Sequence, residues 1–296
     1  MQPIIHIVPH PICTFSHIII GTHWIHPHHH GSGTIQVGGG AAMALIVKDE
    51  PGEIPPEVEN AEDILLFVQH FDMNTLEGVV EESRDELLEI VTATSVGGSF
   101  RLVNGQYQPN HEIIAGEFQR WRVVFASWDR DPLDLAIEAV DSSGECEMFL
   151  LAKDGIYIRD YPRNITKAPI PTAGRADIMV RCNAPGEFNI VHFEDRETLM
   201  TLTSVAPAGG IDAITLTPPT SNFEDWNFPS YLDNVREANT TSGCLCETNL
   251  GGNAINGMSF DPNIFVHTVA LGSVVERELS GVDAHPYHRE YDRKCA

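Results

Sequence analysis

Residues 21–31 read Gly21-Thr-His-Trp-Ile-His-Pro-His-His-His-Gly31 and contain five of the fourteen histidines in this 296-residue chain. Side chains alternate between the two sides of an extended segment, so we expect His26, His28 and His30 on one side and His29 on the other. Two imidazoles at positions i and i+2 on one side can reach two adjacent metal ions, and imidazole suits copper and zinc. The segment is therefore a candidate metal site.

Histidine runs also occur as expression tags, weak adventitious chelators and solvated loops. Here the run follows a Gly-Thr-x-Trp sequence and precedes an apolar, strand-like segment, Ala44-Leu-Ile-Val47. This context argues against a tag, and it leaves a solvated or weakly chelating loop open beside specific metal binding.

A second histidine cluster, His285-Pro-Tyr-His288, lies near the end of the chain. Its proline biases the preceding residue towards an extended conformation, so the two imidazoles are held apart on a loop near a strand end. Two histidines three residues apart are common by chance. Together with the first cluster, they indicate a second part of a metal site.

The charge of the chain limits its partners. It has 42 acidic and 18 basic residues and a formal net charge of −24. Such a chain repels phosphate backbones, which disfavours nucleic-acid binding, and we expect no nucleic acid as a partner. An acidic surface suits cationic substrates, but it also serves solubility alone. No apolar run approaches the ~20 residues that span a bilayer, so we expect no transmembrane segment.

The six cysteines form no Cys-x-x-Cys pair, which argues against a zinc ribbon. Cys244 and Cys246 are too close for an easy mutual disulfide, although each could pair elsewhere. Sequons at Asn164 and Asn239 are typical of a secreted glycoprotein. No signal peptide is visible, so the protein is either cytosolic or begins further upstream. We expect the second case, with a secreted or extracellular location.

Apart from one candidate helix over 77–91, the chain reads as short β-strands broken by Gly, Pro, Asn and Asp. Residues 119–125 alternate polar and apolar side chains, which predicts a half-buried strand. Turns are predicted at 104–105 and 154–155. This regular spacing favours an antiparallel sandwich or Greek-key barrel. The predicted strands are 64–71, 100–103, 119–125, 133–140, 147–152 and, as the next pair, 176–182 and 187–191.

The region from Pro207 to about Gly252 is turn-rich and polar, which predicts an interdomain linker. A strand pattern restarts at 265–271 and 274–279. The parts before Pro51 and after the linker are short for closed β domains, so we expect a chain cut at both ends. Three aromatic residues, Trp121, Phe125 and Trp128, are assigned to the middle core. Four histidines match no motif and are expected to be structural: His70, His111, His192 and His267.

The two histidine clusters resemble copper-binding segments of the multicopper oxidases, the laccase-like enzymes. Gly21-Thr-x-Trp-x-His-Pro-His28 is similar to the family's second segment, G-T-x-W-Y-H-S-H. Residues 36–49 resemble the stretch that closes the family's first cupredoxin domain. His285-Pro-Tyr-His288 resembles the start of the third segment, H-P-F-H-L-H, and Asn256-Gly257 precedes it as in the family.

Landmarks of the family's second domain are also matched, so the resemblance covers nearly the whole chain. It implies an all-β protein of cupredoxin-like (plastocyanin-like) Greek-key β-sandwich domains, with one complete middle domain flanked by partial ones. The implied divisions are the end of domain 1 (1–52), domain 2 (53–206), a linker (207–252) and the beginning of domain 3 (253–296). The matching landmarks are 101–105, 116–122, 153–155 and 173–177.

The resemblance implies copper as cofactor and an oxidoreductase activity. The family oxidises phenols, amines or metal ions one electron at a time and reduces dioxygen to water, so its partners are a small-molecule or metal-ion substrate and dioxygen. By position, His26 and His28 would be type 3 copper ligands. His285 would be a type 1 ligand and His288 the type 2 ligand.

The chain departs from the family at several of its copper-ligand positions. Glu290 stands where the third segment has its last histidine, and a carboxylate is a harder ligand than imidazole. The family's first segment, H-W-H-G, and its fourth, H-C-H with the type 1 copper cysteine, are absent. Cys295 is too close to His288 to replace that cysteine. Four of eleven ligand positions are present, so we expect no turnover by this chain alone.

The tail from Arg289 does not resemble the family, and we interpret it as a departure of the reading frame or gene model. The leading interpretation is an incomplete multicopper oxidase. The alternatives are a non-catalytic copper-binding cupredoxin remnant and an extracellular β-sandwich interaction protein whose histidines bind metal only incidentally.

Overall fold

A computed structural model describes residues 20–29, 32–72, 99–128, 132–140, 144–158, 162–214, 216, 245–251, 254–259, 261, 264–270 and 273–281. Contacts divide the chain into two compact units, with residues 20–239 in the larger and the described residues after 240 in the smaller. No helix among the described residues is long and apolar enough to cross a membrane. The candidate helix over 77–91 lies outside the described residues.

The described part of the larger unit is built mainly of strands, with two short helices, α1 (Gly33–Gly38) and α2 (Pro56–Glu59). Its strands are β1 (Gly21–Ile25), β2 (Met43–Val47), β3 (Glu62–Asp72), β4 (Ser99–Val103), β5 (Asn110–Ile114), β6 (Gln119–Ala126), β7 (Leu133–Ala139), β8 (Cys146–Lys153), β9 (Ile156–Tyr157), β10 (Arg163–Ile165), β11 (Ala168–Ile170), β12 (Arg175–Cys182), β13 (Gly186–His192) and β14 (Thr198–Val205).

These strands form a two-sheet sandwich with a separate antiparallel pair, β1 and β2. One sheet has the order β10-β8-β12-β6-β3-β4, with β9 paired to β8, and the other has the order β11-β7-β13-β14-β5. Most neighbours are antiparallel, but β3 runs parallel to β6 and β14 to β5. Strands β12 and β13 were predicted as a pair and are not paired, because the chain crosses from one sheet to the other between them.

The core lies between the two sheets and takes alternate residues from each strand. Trp121 and Phe125 of β6 are fully buried there, as predicted, and they face the opposite sheet's Phe188. Burying each such side chain stabilises the fold by roughly 1.5–3 kcal/mol. Trp128 is only half-buried, just beyond the end of β6. A disulfide joins Cys146 and Cys182, which lie opposite each other on β8 and β12.

The outer face of the larger sheet is also covered. Phe149 of β8 and Met179 of β12 pack there in a second apolar cluster with Ile54 and Val58. These last two residues come from the segment around α2, which connects β2 to β3. The chain leaving β2 therefore shields one part of this face from water.

Strand β6 was predicted to be half-buried, and this prediction is wrong, because every residue of β6 is buried. Trp121, Val123 and Phe125 face the core between the sheets, as the alternation predicts. The side chains of Arg120 and Arg122 point to the outer face, where β1 and the residues after β2 lie over them. A polar face predicted to meet water instead meets protein.

The smaller unit contains the strands β15 (Leu245–Gly251), β16 (Ala254–Ile255), β17 (Met258–Ser259) and β18 (Glu276–Ser280), in the order β17-β16-β15-β18. The loop predicted up to Gly252 is wrong for 245–251, which form β15. Residues 265–270 are not a strand, and the strand predicted at 274–279 is observed at 276–280. Cys246 is disulfide-bonded.

Both predicted turns are confirmed. Asn104 and Gly105 have φ values of 52° and 76°, and Asp154 and Gly155 have φ values of 51° and 81°. Positive φ at both central positions is the geometry of a tight hairpin turn, and it explains the Asn-Gly and Asp-Gly dipeptides.

The second of these turns lies against the start of β1. A Cβ placed on Gly21 would overlap the backbone of Gly155, and Gly21 itself has a φ of 141°. Glycine at both positions therefore allows the first strand to approach the sandwich backbone to backbone.

We predict that Gly21→Ala lowers the free energy of unfolding by about 3 kcal/mol, since steric overlap adds to backbone strain. Gly52→Ala is the matched control, because Gly52 also has a positive φ, of 81°, but has open space around it. It should cost only about 1–2 kcal/mol. Urea denaturation measures both. Equal losses in the two variants would show that the close approach at Gly21 is unimportant.

Candidate metal centre

Thr22 fixes the beginning of the histidine segment to the sandwich. Its side chain is fully buried, and its hydroxyl donates a hydrogen bond of 2.5 Å to Oδ1 of Asp177 in β12. Nη1 of Arg122 in β6 donates to the same hydroxyl over 3.2 Å. Nε of Arg175 donates to the backbone carbonyl of Thr22 over 3.3 Å, and Nη2 of Arg175 donates to the carbonyl of Asp154.

A second anchor lies beyond β2. One carboxylate oxygen of Asp49 accepts a 2.8 Å hydrogen bond from the hydroxyl of Tyr157 and lies 3.3 Å from Nη1 of Arg120. Nη2 of Arg120 donates to Tyr157 over 2.9 Å and to Asp177 over 2.7 Å. The same Asp177 therefore serves both anchors, and the chain between Thr22 and Asp49 is held at both ends.

The charges in this network are buried and paired. Oδ2 of Asp177 accepts from Arg122 as well, over 3.2 Å, and Arg122 also pairs with Asp63 over 2.6 Å. Both the Arg122 and the Asp177 side chains are almost completely buried. A buried charge is tolerated only when it is paired and hydrogen-bonded, and removing one partner typically costs about 3–5 kcal/mol.

Burial and charge act in opposite directions on the groups of this network. Burial tends to lower the pKa of Arg120, but Asp177, Tyr157 and Asp49 together outweigh it, so the pKa of Arg120 is raised and the guanidinium stays charged. Burial raises the pKa of Tyr157; Arg120 opposes this effect and Asp49 adds to it. Burial lowers the pKa of Arg175, and Asp154 offsets part of that effect.

Between the two anchors, three aromatic rings follow one another along one side of the chain. The rings of Trp24 and His26 are stacked, with centroids 4.2 Å apart and an interplanar angle of 22°. The rings of His26 and His28 follow, with centroids 6.0 Å apart. The structure therefore brings His26 and His28 together on one side, as the alternation predicts.

The orientation of His26 is set by its own chain. Nδ1 of His26 lies 3.1 Å from the carbonyl oxygen of Pro27, which can only accept, so Nδ1 carries the proton in this hydrogen bond. The lone pair is then on Nε2, the nitrogen through which His26 can bind a metal. Metal-binding histidines commonly donate their other ring nitrogen in this way.

The chain then leaves the histidines through a hydrogen-bonded turn. His29 is exposed, and its Nδ1 lies 3.3 Å from the hydroxyl of Ser32, just before α1. The amide of Gly33 donates to the carbonyl of His29 over 2.9 Å. Helix α1 and the turn after it then lead into β2.

His26 and His28 are two imidazole donors of the kind that copper binds, so this pair fits a copper ion. A group of three or more potential ligands is not found within the described residues. His30, His285, His288 and Glu290 lie outside them.

The four histidines predicted to be structural all make hydrogen bonds inside or beside the sheets. Nδ1 of His192 accepts from a backbone amide, and Nε2 of His267 donates to a backbone carbonyl. His70 bonds to Ser99, His111 to Gln119, His192 to the amide of Asp134, and His267 to the carbonyl of Glu247.

Neither a protein-family model nor a curated protein matches this chain. Solved structures do. The McoA multicopper oxidase of the hyperthermophile Aquifex aeolicus is 17% identical with a TM-score of 0.54, and its 2F4 variant is 18% identical with the same TM-score. The alignments cover 81% and 82% of this chain and 51% and 52% of those proteins.

A multi-copper oxidase from Pseudomonas thermotolerans is 21% identical, with a TM-score of 0.49 and coverage of 78% of this chain and 49% of that one. This chain thus spans about half the length of these proteins. The fold of this chain is cupredoxin-like. At these identities the likeness shows that fold, and it confirms the all-β sandwich predicted from the sequence.

The anchoring network was not predicted from the sequence. Its members Arg122, Arg175 and Asp177 belong to landmarks matched to the family, but their partners could not be read from the pattern. The available signal was charge inside strand patterns that are otherwise apolar, because a charged residue there needs a buried partner.

We predict that the free energy of unfolding falls above about pH 10 and that Tyr157→Phe flattens this fall. The pKa of Tyr157 is raised in the folded state, so its contribution is fully present below the ordinary tyrosine pKa of about 10 and is lost as the pH rises above it. At pH 7 the variant should lose about 1–3 kcal/mol with the hydroxyl's hydrogen bonds. Urea denaturation at pH 7 to 11.5 measures this, and parallel wild-type and variant curves would contradict it.

Proposed function

We propose that this chain is a copper-binding part of an oxidoreductase of the multicopper oxidase type. The observation that carries the proposal is the pair formed by His26 and His28, in which two imidazoles lie side by side and Nε2 of His26 carries its lone pair. The cupredoxin-like fold and the motif around Gly21–His28 support the same assignment.

In this proposal His26 and His28 hold copper of the type 3 kind, and His285 and His288 supply type 1 and type 2 ligands. Copper bound there supplies one-electron chemistry, which takes electrons from a reducing substrate and delivers them to dioxygen. The residues of the chain orient the imidazoles: Pro27 fixes the tautomer of His26, and Trp24 packs on one face of its ring. The proposed substrates are phenols, amines or metal ions.

The proposal assigns copper binding to this chain but not turnover by the chain alone. Its 296 residues contain no His-Cys-His triplet, so they offer no thiolate flanked by two imidazoles. A blue copper site combines two histidines with a cysteine thiolate, and that thiolate is the entry point for electrons in the family. We therefore expect copper to bind without oxidase activity.

The domain division proposed with this function follows the resemblance. Residues 1–52 close domain 1, residues 53–206 form domain 2, and residues 253–296 begin domain 3. The proposed linker is shorter than the predicted range 207–252, because β15 already begins at Leu245.

A secreted or extracellular location is part of the proposal. Cys146 and Cys182 form a disulfide, and disulfides persist mainly in oxidising compartments. Asn164 of the sequon lies exposed on β10, the outermost strand of its sheet, where a glycan can be accommodated.

A non-catalytic copper-binding remnant is the second candidate. The observation that favours it is that the 296 residues contain no His-Cys-His triplet. Both candidates predict copper binding, and they differ in whether a longer form of the chain, carrying a His-Cys-His segment, oxidises substrate.

We predict that the chain binds copper at a saturable site and that His26→Ala together with His28→Ala weakens it more than about 100-fold, beyond the 10–100-fold typical of residues that only support ligands. Competition against a chromophoric chelator measures the affinity. X-ray absorption of the copper-loaded chain should show scattering from imidazole.

His29→Ala is the matched control, because His29 belongs to the same segment and is exposed like His28, but its Nδ1 lies next to the hydroxyl of Ser32. It should bind copper like the wild type. Equal weakening by His29→Ala would indicate a loosely chelating histidine loop. A wild-type chain without a saturable site would refute the proposal and favour the interaction protein.

A further inference from the structure

Thr22 is joined to the sandwich more firmly than a strand end requires. Three side chains from two neighbouring strands converge on it: Asp177 and Arg122 on its hydroxyl and Arg175 on its carbonyl. Backbone pairing with β2 already satisfies β1 as a strand, with Thr22 opposite Ile46. The additional bonds therefore fix where β1 lies on the sandwich rather than whether it forms.

Fixing Thr22 also fixes the direction in which the histidines leave. His26 follows four residues later, at about 3.3 Å per residue of extended chain. Thr22, Trp24 and His26 are at alternate positions, so they share one side of this segment. Trp24 is stacked on His26 and connects the anchored residue to the proposed ligand.

The return of the chain is fixed by the same carboxylate. Asp177 bonds through Oδ1 to Thr22 and through Oδ2 to Arg120, and Arg120 bonds to Asp49 after β2. Both ends of the segment 22–49 thus depend on a single buried acid in the sandwich. A site on a segment held at both ends loses less conformational freedom when a ligand binds.

We infer that Thr22, Arg175 and Asp177 are positioning residues for the copper site proposed at His26 and His28, and that the neighbouring sandwich presets this imidazole pair before metal binds. This inference rests on the proposed function. The three residues touch no metal themselves. They act by holding β1, the strand that leads directly into the ligands, as supporting residues around metal sites do.

A purely structural role of these residues would give a different result in measurements of stability and copper affinity. Bonds that only stabilise the fold change the melting temperature, while the folded protein keeps its copper affinity. A positioning role changes the affinity of the folded protein. Thr22→Val separates these roles, because valine has nearly the shape of threonine but lacks the hydroxyl that bonds to Asp177 and Arg122.

The test compares copper affinity in the full 296-residue chain, measured by chelator competition at a temperature where circular dichroism shows the variants folded. Thr22→Val should weaken copper binding about tenfold, the lower end of the effect of supporting residues. Thr22→Ser keeps a hydroxyl and should restore the wild-type affinity. Thr201→Val removes the hydroxyl that bonds to Asn110 at a distant strand, and it should leave copper affinity unchanged.

A readout without copper accompanies the titration. In the metal-free protein, Thr22→Val should speed amide hydrogen exchange over residues 22–26 several-fold, while β13 and β14 exchange as in the wild type. If Thr22→Val does not fold, Arg175→Lys takes its place, because it keeps the charge and loses the bond from Nε to the carbonyl of Thr22. It should weaken copper binding in the same direction.

The outcomes are distinguishable. A folded Thr22→Val protein that binds copper like the wild type overturns the positioning role and leaves the proposed function intact. A wild-type protein without a saturable copper site overturns the proposed function, and the inference falls with it. Weaker copper binding in both Thr22→Val and Thr201→Val would indicate a general effect of stability and would also overturn the inference.

Discussion

The buried carboxylate of Asp177 is the group on which the arrangement of this protein depends. It lies on β12 in the middle of the larger sheet and accepts hydrogen bonds from Thr22, Arg120 and Arg122. A carboxylate buried to this degree is stable only when its charge is balanced, and two guanidinium groups balance it. The outer face of the sheet can therefore carry charges that are shielded from water, and β1, the strand that leads into His26 and His28, can lie on it.

This constraint explains why short sequence landmarks far apart in the chain belong together. Gly21 and Gly155 meet backbone to backbone, and Arg175 joins the carbonyls of Thr22 and Asp154. Each landmark is only moderately specific by itself. In the structure the landmarks form the two sides of one contact, so a substitution on one side also affects the other side.

The sequence predicted the strands well because alternating apolar residues report the core directly. It failed where burial came from another part of the chain. The alternation in β6 correctly separates Trp121 from Arg120, but it cannot show that β1 covers the arginine side. Strand β15 was missed because polar residues such as Thr248 and Asn249 give no apolar period. The crossing between β12 and β13 was missed because adjacency in sequence was taken for pairing.

At the candidate site, the alternation rule placed His26 and His28 on one side, and the stacked rings of Trp24 and His26 follow from the same rule. The bond from His26 to the carbonyl of Pro27 depends on local torsions that no pattern specifies. The anchors depend on contacts between residues about 150 positions apart, as for Thr22 and Asp177, and a single sequence holds no record of such pairs. The ligand types were thus predictable, and the structure that supports them was not.

The central claim is that β1, the strand that leads into His26 and His28, is held by the sandwich as one cooperative unit, independent of metal. Native-state amide hydrogen exchange on the metal-free wild-type chain tests this most directly, because it measures the free energy of opening strand by strand. The account predicts that the paired amides of β1 and β2 open with the same free energy as those of β6 and β12. Fast exchange in β1 and β2 beside protected amides in β6 and β12 would contradict it.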